Sequence, residues 1–197
     1  METREPATLS RDCEVIEIPS GARKTMPGGT ALRIIQSLGG SYTVMDDRGQ
    51  MFRVDAADAD ALGMAPIAEQ TAATETHLSE QLVWDQLRTV FDPEIPVNLV
   101  DLGLIYSCAI SPLDSGGNRI DVKMSITAPG CGMGGVLKAD VENKLAKLPE
   151  VKEVNVAVVF DPPWNPGMMS EAAKLQLGFD LDYSPAPNPY SYFPGRS

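Results

Sequence analysis

Between Ile120 and Gly135 the chain changes its hydrophobic period once, and that change constrains the fold more than any other feature. Ile120, Val122, Met124 and Ile126 alternate with Asp121, Lys123 and Ser125, the two-residue repeat of a strand buried on one side. Further on, Leu137, Val141, Leu145 and Leu148 share one helical face until Pro149 closes it. The connection, Thr127-Ala128-Pro129-Gly130-Cys131-Gly132-Met133-Gly134-Gly135, puts one cysteine on a glycine-rich turn where the helix begins. Backbone N–H groups at a helix start carry partial positive charge, which favours the thiolate over the thiol.

The rest of the second half extends this unit in both directions. Ser79 is placed to cap a helix with Val83, Leu87 and Val90 on one face, stopped at Asp92-Pro93. A strand is expected from about Leu102 to Ile110, with Leu104, Tyr106, Cys108 and Ile110 in one phase, turning at Asp114–Asn118 into the Ile120 strand as an antiparallel pair. Val154, Val156, Val158 and Phe160 form a third strand, Asp161–Pro166 is irregular, and Ser170 caps a short helix ended by Gly178. The order α-β-β-α-β-α predicts an α+β unit with helices over one face of a three-stranded sheet. The first half reads differently. Short strands between Pro and Gly turns, with Tyr42 and Val44 facing Phe52 and Val54 across Asp46–Gly49, predict a small all-β roll or barrel. Asp55 is placed to cap an Ala-rich helix that stops at Gly63. The expected divisions are 1–63 for the β-roll, 64–78 for a linker, 79–179 for the α+β domain and 180–197 for a tail rich in Pro, Tyr and Ser.

A formal charge of -11, from 16 basic and 27 acidic residues, argues against a nucleic-acid surface or binding to anionic membranes. Met1–Pro6 lacks the basic and apolar segments of a signal peptide, and no apolar run approaches the roughly 18 residues of a spanning helix. The expected location is the cytoplasm. Three cysteines, an odd number without metal-finger spacing, argue against a disulfide framework.

The three thiols differ in setting. Cys108 lies in the apolar phase of a strand and reads as a buried structural thiol, and Cys13 stands between Asp12 and Glu14, whose charges oppose a thiolate. Cys131 alone has an electropositive setting. The only histidine, His77, falls in the linker, so a Cys–His nucleophile pair is disfavoured. Asp92, Glu94 and Asp101 cluster within one short segment, and Asp161 opens a second Pro-rich loop. Such carboxylates serve acid–base chemistry or hard cations, or else they terminate helices and build turns. A permanent zinc or iron–sulfur centre usually takes four ligands, and the chain offers one thiolate, Cys131. A stable metal centre within one monomer is therefore not expected. A cluster held transiently or shared between chains fits better.

From Ser79 to Gly178 the chain resembles the MIP-type domain of cytosolic iron–sulfur assembly factors, and with its N-terminal extension it resembles the SufT family in particular. The resemblance is carried by Asp92-Pro93-Glu94-Ile95-Pro96-Val97-Asn98, Val100-Asp101-Leu102-Gly103-Leu104-Ile105-Tyr106, Thr127–Met133, Phe160-Asp161-Pro162-Pro163-Trp164 and Met168–Leu175. Leu38–Val44 and Asp58–Gly63 extend it into the first half. It implies a part in the maturation of iron–sulfur proteins, with Cys131 at the family's reactive-cysteine position, and implies self-association.

These readings together predict a non-enzymatic carrier or client adaptor. Cys131 would bind iron or a cluster transiently, or contact a client. Asp92, Glu94, Asp101, Thr127, Gly130, Gly132 and Asp161 would shape its site. The expected partners are the iron–sulfur assembly machinery, client apo-proteins and further copies of the chain. Two rivals remain: a thiol-dependent enzyme or accessory subunit of a multicomponent oxygenase, and an interaction module that docks through the β-roll and the Tyr183, Tyr190, Tyr192 and Phe193 tail.

Overall fold

The computed structural model describes residues 5–64, 77–128 and 132–179. The expected linker, most of which is 65–76, the tail after Phe179, and the Gly130 and Cys131 positions lie outside them. The described residues divide into two compact units. The first holds 5–64 together with Phe91–Pro96 and 132–137, and the second holds 77–90, 97–128 and 138–179.

The first unit is built on a six-stranded antiparallel sheet. Its strands are β1 (Glu5–Thr8), β2 (Cys13–Ile18), β3 (Arg23–Met26), β4 (Ala31–Leu38), β5 (Ser41–Met45) and β6 (Met51–Asp55), ordered β1-β4-β5-β6-β2-β3. The β5–β6 hairpin pairs Tyr42 with Val54 and Val44 with Phe52, the expected register. Asp46 forms its turn, its Oδ1 accepting from the N–H groups of Arg48 and Gln50 at 3.0 and 2.8 Å. Successive strand residues point to opposite faces, and both faces of this sheet are used. One carries Val15, Leu32, Ile34, Tyr42, Val44, Phe52 and Val54, closed by Ala59, Ala61 and Leu62 of a 3-10 helix, Ala56–Leu62. The other presents Ile16 and Ile18, which pack with Met133, Met51 and Val136. Asp55 does not cap the 3-10 helix with its side chain. Its carboxylate is instead drawn 3.2 Å from Nε of Arg53, a buried guanidinium that needs an anion more than a helix end does.

The second unit is α+β. Helix α1 (Glu80–Leu87) is capped by Ser79, whose hydroxyl accepts from Leu82 N–H at 3.1 Å. Strands β7 (Ile105–Pro112), β8 (Asn118–Met124) and β9 (Val151–Val158) form the three-stranded sheet in that order. Helix α2 (Gly134–Leu145) separates β8 from β9, which pair in parallel, as a strand–helix–strand crossover requires. Leu137, Val141, Leu145 and Leu148 are buried, and Lys144 donates to the Thr89 carbonyl at 2.6 Å at the end of α1. Helix α3 (Glu171–Gln176) is capped by Ser170, which accepts from Ala173 N–H at 3.1 Å.

Two strand expectations need correction. The first strand starts at Ile105, not Leu102. Gly103 takes a left-handed φ of 70°, so Leu99, Leu102 and Leu104 are buried as parts of a looped segment tied by Leu104 N–H to the Leu99 carbonyl at 2.9 Å. The third strand ends at Val158, and Phe160 is 51 % exposed because no pairing partner continues beyond Met124.

Candidate functional site

Asp92, Glu94 and Gly132 belong to the first unit, whereas Asp101, Thr127 and Asp161 belong to the second. Asp92 is buried, and its Oδ1 accepts from the N–H groups of Glu94 and Ile95 at 2.8 and 2.9 Å. These bonds make it the cornerstone of the turn that follows α1. The two carbonyls at the head of that turn are held from the sheet: Gln36 Nε2 donates to the Asp92 carbonyl at 3.3 Å and Thr43 Oγ1 to the Pro93 carbonyl at 3.2 Å. Glu94 is exposed. Burial pushes the Asp92 carboxyl above its ordinary pKa against the opposing pull of the two N–H bonds. Glu94 moves the same way through desolvation, with the Asp92 charge adding to it.

The sign for stability follows from proton counting. A carboxyl whose folded pKa lies above its unfolded one binds more protons in the folded state between the two values, so the Asp92 contribution improves as pH falls and worsens as pH rises. Asp92→Asn keeps the acceptor oxygen and removes the charge. It is expected to melt at or above the wild type at pH 7, with a flatter profile from about pH 4 to 7. Asp92→Ala removes the acceptor and should cost about 1–2 kcal/mol at every pH, as loss of a helix cap does. Thermal melts of the three chains across that range test this, and an Asn variant as weak as the Ala variant would refute the turn assignment.

In the second unit, Asp101 and Asn98 form a reciprocal pair. Asn98 Nδ2 donates to Asp101 Oδ2 at 2.6 Å, and Asp101 N–H donates to Asn98 Oδ1 at 2.9 Å. Asp161 is exposed and precedes a cis peptide to Pro162. Around these two residues the motif strings lock together. Tyr106 Oη donates to the Pro162 carbonyl, Trp164 Nε1 to the Leu102 carbonyl and Ser170 N–H to the Asp101 carbonyl, each at 2.8 Å. Thr127, half-buried, follows β8, and the Oγ of nearby Ser125 is buried without a hydrogen-bond partner among the described residues. Asn98, Tyr106 and Trp164 were not among the expected site residues, although all three stand inside the motif strings.

The other thiols are held in unreactive settings. Cys13 is 1 % exposed, and burial, then the charge of Asp58, pushes its thiol up. The flanking Asp12 and Glu14 are not the leading cause. Cys108 is half-buried, less than its strand phase suggested, yet desolvation with the charges of Glu80 and Asp121 pushes it up to about 12. At pH 8 its alkylation by iodoacetamide is expected to run roughly a thousandfold slower than that of a free cysteine, a rate that peptide mass spectrometry reads directly. Labelling of Cys108 at free-thiol speed would contradict this environment. His77 Nδ1 lies 3.2 Å from Glu150 Oε1, and this contact draws the Glu150 carboxyl below its ordinary range. Among the described residues no group of three or more His, Cys, Asp or Glu side chains is arranged to hold a metal ion. Among them, too, no helix is long and apolar enough to cross a membrane.

An α+β unit whose loops join the 98–106, 160–164 and 168–175 strings by hydrogen bonds, in a chain with a cysteine three residues before α2, defines a recognisable class. The chain belongs to the iron–sulfur cluster assembly protein family, whose model matches residues 80–158. It is similar to the Fe-S protein maturation auxiliary factor of Porphyromonas gingivalis, 44% identical over 102 residues that make up 51% of this chain and 92% of that protein. It is likewise similar to the Fe-S protein maturation auxiliary factor SufT of Staphylococcus aureus, 39% identical over 89 residues, 45% of this chain and 97% of the relative. A further likeness is to an iron-sulfur cluster carrier protein of Deinococcus radiodurans, 36% identical over 70 residues, 36% of this chain and 19% of the carrier.

Proposed function

We propose that the chain is a non-enzymatic carrier that takes an iron–sulfur cluster as cargo and passes it to client apo-proteins. The observation that carries this reading is the family match over residues 80–158, inside which Cys131 stands three positions before the start of α2. The names of the relatives, maturation auxiliary factors and a cluster carrier, point the same way. In this reading the Cys131 thiolate supplies one ligand to the cargo. Further ligands come from a second copy of the chain or from the donor and acceptor on either side of the transfer. Asp92 and Asp101 each hold their own turn, and Glu94, Thr127, Gly130, Gly132 and Asp161 enter this reading by their motif positions alone. The work is assigned to the cytoplasm, with the assembly machinery and client apo-proteins as partners.

The test is reconstitution under anaerobic conditions. The full chain is incubated with ferrous iron, sulfide and a reducing thiol, desalted, and mixed with the apo form of a cluster-dependent hydro-lyase. Client activity is expected to return faster than with the same iron and sulfide supplied free, and the desalted chain should carry both elements. Equal rates with and without the chain would overturn the carrier reading.

A further inference from the structure

The six-stranded sheet lies outside the residues that match the family, yet its second face is not a free surface. Ile16 pairs with Arg53, Arg53 with Thr43, Thr43 with Gln36 and Ile18 with Met51, so these side chains are neighbours across four strands. Thr43 and Arg53 are buried although polar, which a sheet face turned to solvent would not require. What covers the face is the pair of segments that bear the motifs. Gln36 and Thr43 hold the Asp92 and Pro93 carbonyls, and Met133, the second residue after Cys131, is 2 % exposed between Ile16 and Ile18.

The tightest contact lies at the β2–β3 turn. Gly21 has a φ of 71°, and a methyl group there would strike the Gly132 carbonyl, with its carbon only 2.6 Å away. A methyl on Gly132 would in turn overlap the Ser20 carbonyl and lie 3.0 Å from Gly21 N. Two backbones meet here with no room for a side chain on either, at the residue that follows Cys131 in the chain.

We propose that the sheet is a built-in platform that mounts the Asp92–Glu94 turn and the 132–137 segment, with Gly21 and Thr43 as the positioning residues of that mount. Its functional meaning rests on the reading of Cys131 as the working thiol, but its physical content does not. In the reading of Cys131 as a thiolate favoured by a helix start, a shift of the adjoining Gly132 backbone weakens that preference.

The experiment labels the full chain with iodoacetamide and follows Cys131 by peptide mass spectrometry, which separates it from Cys13 and Cys108. Gly21→Ala is compared with Gly29→Ala, whose φ of 87° imposes the same kind of backbone strain but whose added methyl meets nothing within 4 Å. Gly21→Ala is expected to slow labelling at Cys131 about tenfold at pH 7 and to move the midpoint of its pH profile upward. Gly29→Ala should label like the wild type. A rate at Cys131 that does not slow in Gly21→Ala, or an equal slowing in Gly29→Ala, overturns the platform. Should Gly21→Ala fail to fold, hydrogen exchange of the 91–96 peptide decides. Thr43→Val is expected to speed exchange there and Thr43→Ser to restore protection, and wild-type exchange in Thr43→Val overturns the proposal. If these shifts appear while Cys131 proves dispensable for client maturation, the platform stands and the carrier reading falls.

Discussion

A chain carrying Cys131→Ala is expected to melt with the wild type and to lose all of its effect on an apo client. The thiolate is the nucleophile and the metal ligand, so the outcome turns on which thiols can ionise near neutral pH. Cys13 is enclosed in the first core, and Cys108 is pushed up to about 12, which leaves neither as a substitute. Alanine is smaller than cysteine and leaves the flanking Gly130 and Gly132 unchanged. The measurement is the rate at which a cluster-dependent hydro-lyase regains activity after mixing with the loaded chain. For Cys131→Ala that rate should fall to the value for free iron and sulfide, while Cys108→Ser should transfer as the wild type does. A fully active Cys131→Ala chain would remove the thiol from the mechanism and leave the interaction-module reading in its place.

Local signals in the sequence reached as far as local interactions decide. The β5–β6 register was legible because Asp46 and Gly49 mark a turn and the flanking residues alternate. The Ser79 and Ser170 caps were legible because a hydroxyl before an apolar repeat has one common use. Strands β1 and β3 were not, since they are the two edges of the sheet and nearly all their residues are exposed, which leaves no apolar alternation to read. Val15, Ile16 and Ile18 lie in one strand but serve two cores. The two isoleucine side chains serve the face opposite Val15, and the reason, Met133, is more than a hundred positions away in the chain. At the candidate site, residue types suggested acid–base or cation chemistry as readily as turn chemistry. The structure gives Asp92 and Asp101 definite turn bonds, a matter of which N–H groups fold toward each carboxylate. Nothing in the sequence pointed to Thr43 and Gln36 as anchors of the Asp92 turn, because a polar residue inside a β-pattern acquires its meaning only from what lies over it.

The largest stability loss is expected at Gly103. Its φ of 70° is a conformation that costs a residue with a Cβ about 1–2 kcal/mol. The space around it is also closed: an added methyl would strike the Met168 carbonyl, with the carbonyl carbon at 2.7 Å and the Met168 Cβ at 2.9 Å. Met168 cannot simply retreat. Its N–H bonds the Asn165 carbonyl at 3.0 Å, and the segment is pinned on either side by Trp164 to the Leu102 carbonyl and Ser170 N–H to the Asp101 carbonyl. Relieving the overlap therefore breaks or lengthens those bonds, at about 1–3 kcal/mol for forced overpacking. Gly103→Ala should lose about 2–5 kcal/mol in all, a large part of what a small domain possesses, and lower the melting temperature of the second unit by ten degrees or more, roughly. Gly116→Ala separates the two causes. At φ 80° with nothing within 4 Å of an added methyl, it carries the conformational cost alone. The difference between the two variants in denaturant melts is the contribution of the close approach between the Gly103 and Met168 backbones. If Gly103→Ala proves no weaker than Gly116→Ala, the two motif strings are not held against each other as tightly as their bonds indicate, and the rigidity assigned to this side of the second unit is lost with them.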